Sequence, residues 1–74
     1  MDFSEKIKNL RQERLLSQEA FAKELGVSFA TVNRWEAGKT QPTYKALRTI
    51  KEYCEKNNVE FSVDINIERG STNG

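Results

Sequence analysis

One stretch, from residue 17 to residue 40 (SQEAFAKELGVSFATVNRWEAGKT), constrains the fold more than any other part of the chain. Small and apolar residues recur there at helical spacing on both sides of Gly26, so their two faces can meet if the chain turns at the glycine. Glycine readily takes the positive φ that ends a helix at such a turn. Ser17 and Ser28 stand where a side-chain oxygen caps the first turn of a helix. The pattern predicts two short helices, over residues 18–25 and 29–37, that are joined by a tight turn.

Helical periodicity continues on both sides of this stretch. Apolar residues at positions i, i+4 and i+7 predict a first helix over residues 2–14. The charged face of that helix, which includes Arg14, is typical of a solvated surface. Thr43 is the expected cap of a fourth helix, over residues 44–56. The fold class is therefore mainly α, a compact four-helix domain over residues 1–57.

The last periodic segment, residues 58–68, changes to period two. Apolar residues alternate there with polar ones, which predicts a half-buried strand. The rest of the chain is helix or loop in this interpretation, so the strand has no partner strand of its own. We expect it to pair with the same strand of a second copy, which makes the chain a homodimer. The residues expected at this contact are Val59, Phe61, Val63, Ile65 and Ile67. Residues 69–74 have the composition of a disordered tail.

Length and composition narrow the class of protein. A chain of 74 residues fits one domain with a small core. A single cysteine and an acidic, helical N-terminus predict neither a disulfide framework nor a secretory signal, which favours a cytoplasmic, nucleoid-associated protein. No apolar run approaches the roughly 18 residues that span a bilayer, so we expect no membrane association. Histidine is absent, and no phosphate loop or metal-ligand cluster is recognisable. We therefore expect no enzyme activity, no catalytic residue, no cofactor and no metal.

The net charge of +1 is small, but it is unevenly distributed. Residues 28–51 carry five basic residues against one acidic residue, while the remainder carries seven basic against ten acidic residues. The excess positive charge coincides with the second helix of the central stretch and the segment that follows it. Phosphates would lie in that region if this helix entered a groove of DNA.

The segment LSQEAFAKELGVSFATVNRWEAGKTQPT resembles the Xre-type helix-turn-helix regulators, which are similar to the phage Cro and cI repressors. The resemblance covers about residues 4–56 and is carried by Leu16-Ser17-Gln18, Ala22, Gly26, Val32, Trp35-Glu36 and Gly38-Lys39. It implies a DNA-binding regulator of transcription, here expected to be a repressor. It also implies a dimer on double-stranded DNA with a two-fold symmetric operator, with the helix over residues 29–37 in the major groove.

The resemblance also implies roles for single side chains. The positions that face the bases are Phe29, Ala30, Asn33 and Arg34. The positions that contact phosphates are Gln18, Ser28, Lys39 and Thr40. Arg11 and Glu36 match a structural ion pair beneath the motif in several members of the family. Family members often carry polar residues at positions 29 and 30. Here both side chains can only touch a thymine methyl group, which leaves Arg34 and Asn33 as the polar base readers.

Several alternatives stay open at this point. Arg34 contacts either a guanine or only a phosphate, and Asn33 either pairs with adenine or is a plain surface residue. Phe29 does not share the apolar stripe of its helix cleanly, so an exposed and a packed position are equally compatible with the pattern. Trp35 either stacks on a nucleic-acid base or packs in the core, and its spacing favours the core. Cys54 is likewise a predicted core residue.

A second function class also remains. In this alternative, the strand over residues 58–68 adds to the sheet of another protein, as in an antitoxin that binds its cognate toxin. The two functions are compatible, because antitoxins of this family also bind DNA. A chain that is monomeric alone would favour the interaction module.

Overall fold

The computed structural model describes residues 2–61, which form four helices. Their bounds are α1 (Phe3–Glu13), α2 (Gln18–Leu25), α3 (Phe29–Glu36) and α4 (Tyr44–Lys56). The predicted mainly α, four-helix architecture is confirmed, although α3 ends one residue early, with Ala37 as its C-cap. Within residues 2–61, no helix is both long enough and apolar enough to cross a membrane.

Each of the four helices begins at a residue whose side-chain oxygen accepts a backbone N–H from three residues further on. The four capping residues are Asp2, Ser17, Ser28 and Thr43. Each contact gives a partner to one of the N–H groups that a helix leaves unpaired in its first turn. Gly26, at φ 77°, ends α2 in the left-handed region, as its position in the sequence predicts. The boundaries of the helices are therefore set by local signals.

The core lies where the apolar faces of the four helices meet. Its largest fully buried side chains are Phe21, Ile7, Ile50 and Val32. Trp35 is only 4% exposed and meets the Phe3 ring edge to face, with ring centroids 5.7 Å apart. Cys54 is also buried, at 2% exposure. Both predictions of a core position are confirmed, and the alternative of Trp35 as a base-stacking residue is wrong.

Arg14 is half-buried and bonded to other side chains, which corrects the expectation of a plain solvated residue. Its Nε donates to the Tyr53 hydroxyl at 3.0 Å, and its Nη2 donates to Asn57 Oδ1 at 3.0 Å. The Tyr53 hydroxyl in turn donates to Glu24 Oε1 at 2.8 Å. Burial raises the pKa of Tyr53, so the hydroxyl stays a donor. The cluster ties α1, α2 and α4 together because α4 carries Tyr53 across the end of α1.

Residues 59–61 form no strand, which contradicts the start of the predicted strand. Asn58 reverses the chain at φ 57°, and the Val59 N–H then donates to the Cys54 carbonyl at 2.8 Å. The half-buried side chains of Val59 and Phe61 pack against the helical core of their own chain. That packing uses the first two of the five side chains that the prediction assigned to a dimer contact. The other predicted strand positions and the tail, residues 62–74, lie outside the described residues.

Leu15 combines two unfavourable features in the turn between α1 and α2. Its φ is 58°, in the left-handed region, and its side chain is 91% exposed. The left-handed backbone costs a leucine about 1–2 kcal/mol and costs a glycine almost nothing. Glycine also makes the unfolded chain more flexible, which lowers the free energy of unfolding by about 0.5–1 kcal/mol and offsets part of the gain. We expect Leu15→Gly to raise the free energy of unfolding by about 0.5–1 kcal/mol, as measured by urea denaturation.

Leu15→Ala is the matched control for this prediction. Alanine removes the same exposed apolar atoms but keeps the Cβ that makes a positive φ unfavourable. We expect its free energy of unfolding to stay within about 0.3 kcal/mol of the parent. An equal gain for the glycine and alanine variants would contradict a backbone origin.

Candidate DNA-binding surface

Helix α3 turns one side to the core and the other to solvent. Val32 and Trp35 are buried, at 0% and 4% exposure. The opposite side is an exposed stripe, with the spacing i, i+1, i+4 and i+5 that places side chains on one helix face. The members of this exposed stripe are Phe29, Ala30, Asn33 and Arg34. The structure therefore brings the four base-reading candidates together on the free side of α3.

The N-terminal end of the stripe is apolar and well anchored. Phe29 is 51% exposed, which decides between the two positions that the sequence left open for it. Just before it, the Ser28 Oγ accepts the Thr31 N–H at 3.1 Å and lies 2.9 Å from the Thr31 hydroxyl oxygen. Because this cap holds the first turn, Phe29 and Ala30 are presented on a fixed backbone. Neither side chain can form a hydrogen bond, so this end of α3 offers methyl and ring contacts only.

The other end of the stripe is cationic. The Arg34 side chain is exposed and makes no hydrogen bond or ion pair to another described residue. The chain then turns at Gly38, and the Lys39 N–H donates to the Arg34 carbonyl at 3.0 Å. Lys39 and Thr40 are both exposed beside this turn. Since no described residue holds this guanidinium, it is suited to an external anion or acceptor.

Beneath the stripe, Arg11 of α1 and Glu36 of α3 form a bidentate ion pair. Arg11 Nε lies 2.7 Å from Glu36 Oε2, and Arg11 Nη2 lies 3.0 Å from Glu36 Oε1. Arg11 Nη1 also donates to the Leu16 carbonyl at 3.0 Å. The side chains are 15% and 5% exposed, so water screens the pair only weakly. The pair fixes the C-terminal turn of α3 against α1 and against the start of α2.

Gln18 connects this ion pair to the exposed stripe. Its Nε2 donates to Glu36 Oε1 at 3.0 Å, and its Oε1 accepts a hydrogen bond from Asn33 Nδ2 at 3.1 Å. Sequence reasoning assigned Gln18 to phosphates and Asn33 to a base, and it missed the bonds that join them. Their positions lie fifteen residues apart on two helices. No periodicity or motif marks such a contact.

Glu36 stays ionised in this setting. Burial acts to raise the pKa of Glu36, but hydrogen bonds from Arg11 and Gln18 outweigh it and leave the pKa below its ordinary value. At neutral pH the Glu36 carboxylate can therefore accept hydrogen bonds but cannot donate them. No group of three or more histidine, cysteine, aspartate or glutamate side chains within residues 2–61 is arranged to hold a metal ion.

Comparison with known proteins agrees with this geometry. A protein-family model described as helix-turn-helix matches residues 7–59. Among curated proteins, the chain is similar to the HTH-type transcriptional activator BcrR of Enterococcus faecalis, with 38% identity over 53 residues. The matched residues are 72% of this chain but only 26% of that protein, so this chain spans a minor part of its relative. No solved structure matches the chain significantly.

Proposed function

Since the chain belongs to the helix-turn-helix family of Xre and Cro type, whose members are DNA-binding transcription regulators, we propose that it reads double-stranded DNA with α3 in the major groove. The observation that carries the proposal is the exposed stripe on α3. Four neighbouring side chains there face away from the core, and one of them is a guanidinium without a hydrogen-bond or ion-pair partner among residues 2–61. A helix about 10 Å wide with its side chains fits the major groove.

The stripe divides into polar and apolar base contacts. Arg34 is suited to guanine, whose O6 and N7 accept two hydrogen bonds from one guanidinium. Asn33 is suited to adenine. Phe29 and Ala30 are suited to the methyl group of thymine, because neither can donate or accept a hydrogen bond. The chain then reads few base pairs by hydrogen bonding, and DNA shape contributes to its choice of site.

Phosphate contacts would hold α3 in the groove. Gln18 and Ser28 stand at the N-termini of α2 and α3, where backbone N–H groups favour an anion. Lys39 and Thr40 are exposed at the turn after α3. These contacts contribute affinity on every sequence and do not select among sequences.

We also propose that the chain acts in the cytoplasm as a homodimer on a two-fold symmetric operator, with half-sites about one helical turn apart. The support is the family, together with the alternating apolar residues Val63, Ile65 and Ile67, which lie outside the described residues. Repression and a toxin partner stay predictions. A promoter fused to a reporter gene separates repression from activation. The mass of the purified chain in solution separates a homodimer from a monomer that needs another protein.

Selection of bound sites from random duplex DNA tests the central proposal. We expect enrichment of one short motif, repeated with two-fold symmetry at a fixed spacing. Binding without enrichment would mean that the chain contacts the backbone alone, which contradicts base readout by α3. The same selection reports the half-site and the spacing between the two copies.

Arg34→Ala is the sharpest single change on this surface. We expect a loss of about 1–3 kcal/mol in binding to the selected site, and relaxed selection at one base pair, because a bidentate contact to guanine disappears. Fluorescence anisotropy on the selected site and on its single base-pair variants measures both quantities. Arg48→Ala removes the same exposed side chain type from α4 and serves as the control. We expect it to leave the base preference unchanged. A uniform loss for Arg34→Ala on all sequences would show a phosphate contact instead.

A further inference from the structure

Four side chains form one continuous line of hydrogen bonds from α1 to the exposed stripe. The line runs through Arg11, Glu36, Gln18 and Asn33, with donor–acceptor distances of 2.7–3.1 Å. Its inner end is nearly buried, since Glu36 is 5% exposed, and its outer end is the exposed Asn33. A line of this kind has a direction, because each bond has one donor and one acceptor.

The inner end determines the direction of every bond in the line. A guanidinium only donates and an ionised carboxylate only accepts, so Glu36 can offer nothing but acceptors to Gln18. The Gln18 side chain must therefore turn its NH2 group toward Glu36 and its carbonyl toward Asn33. The Asn33 NH2 group must then donate to that carbonyl, in agreement with the 3.1 Å contact between Asn33 Nδ2 and Gln18 Oε1. The Asn33 carbonyl oxygen is left on the solvent side, without a hydrogen bond to another described residue.

We propose that Gln18, held by the Arg11–Glu36 pair, is a positioning residue that orients the Asn33 amide so that α3 presents a carbonyl acceptor to DNA. This inference rests on the proposed function. In the major groove, adenine and cytosine offer an amino donor, whereas guanine and thymine offer oxygen acceptors. An Asn33 fixed in this orientation selects adenine or cytosine and rejects guanine or thymine at its position. A freely rotating amide would accept either class, since it can present either end.

The test uses the full chain and the site obtained by selection. Asn33→Ala first locates the base pair that Asn33 contacts, as the position where discrimination disappears. At that base pair we expect the parent chain to favour adenine or cytosine by about tenfold, in the range of one good side-chain contact to a base. Gln18→Met removes the link but keeps the Arg11–Glu36 pair. We expect it to reduce the preference at that base pair to about threefold or less and to leave selection at the Arg34 base pair intact.

Gln12→Met is the matched control, because Gln12 is an exposed glutamine on α1 whose side chain has no hydrogen-bond partner among the described residues. It should bind and discriminate like the parent. Loss of the Gln18 phosphate contact lowers affinity equally on all sequences, so only a change of ratio at one base pair supports the positioning role. A purely uniform loss for Gln18→Met, or an Asn33→Ala variant that keeps all discrimination, would overturn it.

Glu36→Gln tests the direction of the line itself. A glutamine at position 36 can turn an NH2 group toward Gln18, which lets both amides reverse and places the Asn33 donor outward. We expect the preference at that base pair to shift toward guanine or thymine in a variant whose circular dichroism shows it folded. An unchanged preference would overturn the proposal.

Nuclear Overhauser effects between the Gln18 and Asn33 amide protons test the contact without DNA. If these effects are absent in the parent chain, the positioning role is wrong. If the parent chain binds DNA without selecting any sequence, the proposed function itself is wrong.

Discussion

Phe21→Ala is expected to lower the free energy of unfolding by about 4 kcal/mol, which removes most of the stability of a domain this small. Phe21 is fully buried, and its ring meets Tyr53 edge to face, with centroids 5.9 Å apart. Alanine loses the transfer free energy of the ring and leaves a cavity between α2 and α4. Urea denaturation followed by far-UV circular dichroism measures the loss. If the alanine variant does not fold, Phe21→Leu gives a smaller loss of about 1–2 kcal/mol on the same scale.

Phe29→Ala is the matched control, since it is the same substitution eight positions further along the helix-turn-helix. Phe29 is 51% exposed, so its truncation should change the free energy of unfolding by less than about 0.5 kcal/mol. In DNA binding by folded chains, we expect Phe29→Ala to have the larger effect of the two substitutions. A folded Phe29→Ala chain should lose discrimination for thymine, and comparing uracil with thymine at that position isolates the methyl contact. Equal losses of stability for the two variants would contradict the assignment of one ring to the core and the other to the surface.

Arg11→Met is expected to cost about 3 kcal/mol in the free energy of unfolding at neutral pH. Methionine keeps much of the aliphatic stem but leaves the Glu36 carboxylate, 5% exposed, without its cationic partner. The parent pair lowers the pKa of Glu36, so its contribution is complete above the ordinary value of 4.5 and is lost as the pH falls through the folded value. In the Arg11→Met variant, burial acts on Glu36 without its cationic partner and raises the pKa of Glu36 in the folded chain. The loss caused by Arg11→Met should therefore shrink as the pH is lowered toward 4.5.

Two further variants isolate the cause of that loss. Arg48→Met makes the same substitution at an exposed position of α4 and should change stability by less than about 0.5 kcal/mol. Arg11→Met combined with Glu36→Leu removes both charges, and replacement of a whole buried pair by apolar side chains is often close to neutral. We expect the double variant to be more stable than Arg11→Met alone. A double variant that is less stable than the single variant would contradict a stranded charge as the cause.

The helices were predictable because their signals are local. Ser17 and Thr43 cap the residues that directly follow them, and Gly26 ends α2 by its own backbone geometry. Each of these signals depends on neighbours within a few residues, so the four-helix fold and its boundaries can be predicted from the sequence. The Arg11–Glu36 pairing came from family resemblance and not from spacing.

The contacts that were missed join residues far apart in the chain. Arg14 and Tyr53 are separated by 39 positions, and no pattern in the sequence relates them. The error at Val59 has a different origin. Alternating apolar residues are equally compatible with a strand in a sheet and with an extended segment that covers a helical core, so only the fold distinguishes them. The position of Phe29 was open for a similar reason, since an eight-residue helix has too few turns to define its stripe.

The four capped helix starts also have a kinetic consequence. Each cap bonds to a residue only three positions away, so each helix can begin to form before any tertiary contact exists. Helical domains dominated by short-range contacts fold within about microseconds to milliseconds. We therefore expect this chain to fold soon after it leaves the ribosome. Its concentration in the cell would then be set by synthesis and degradation, without a delay from folding.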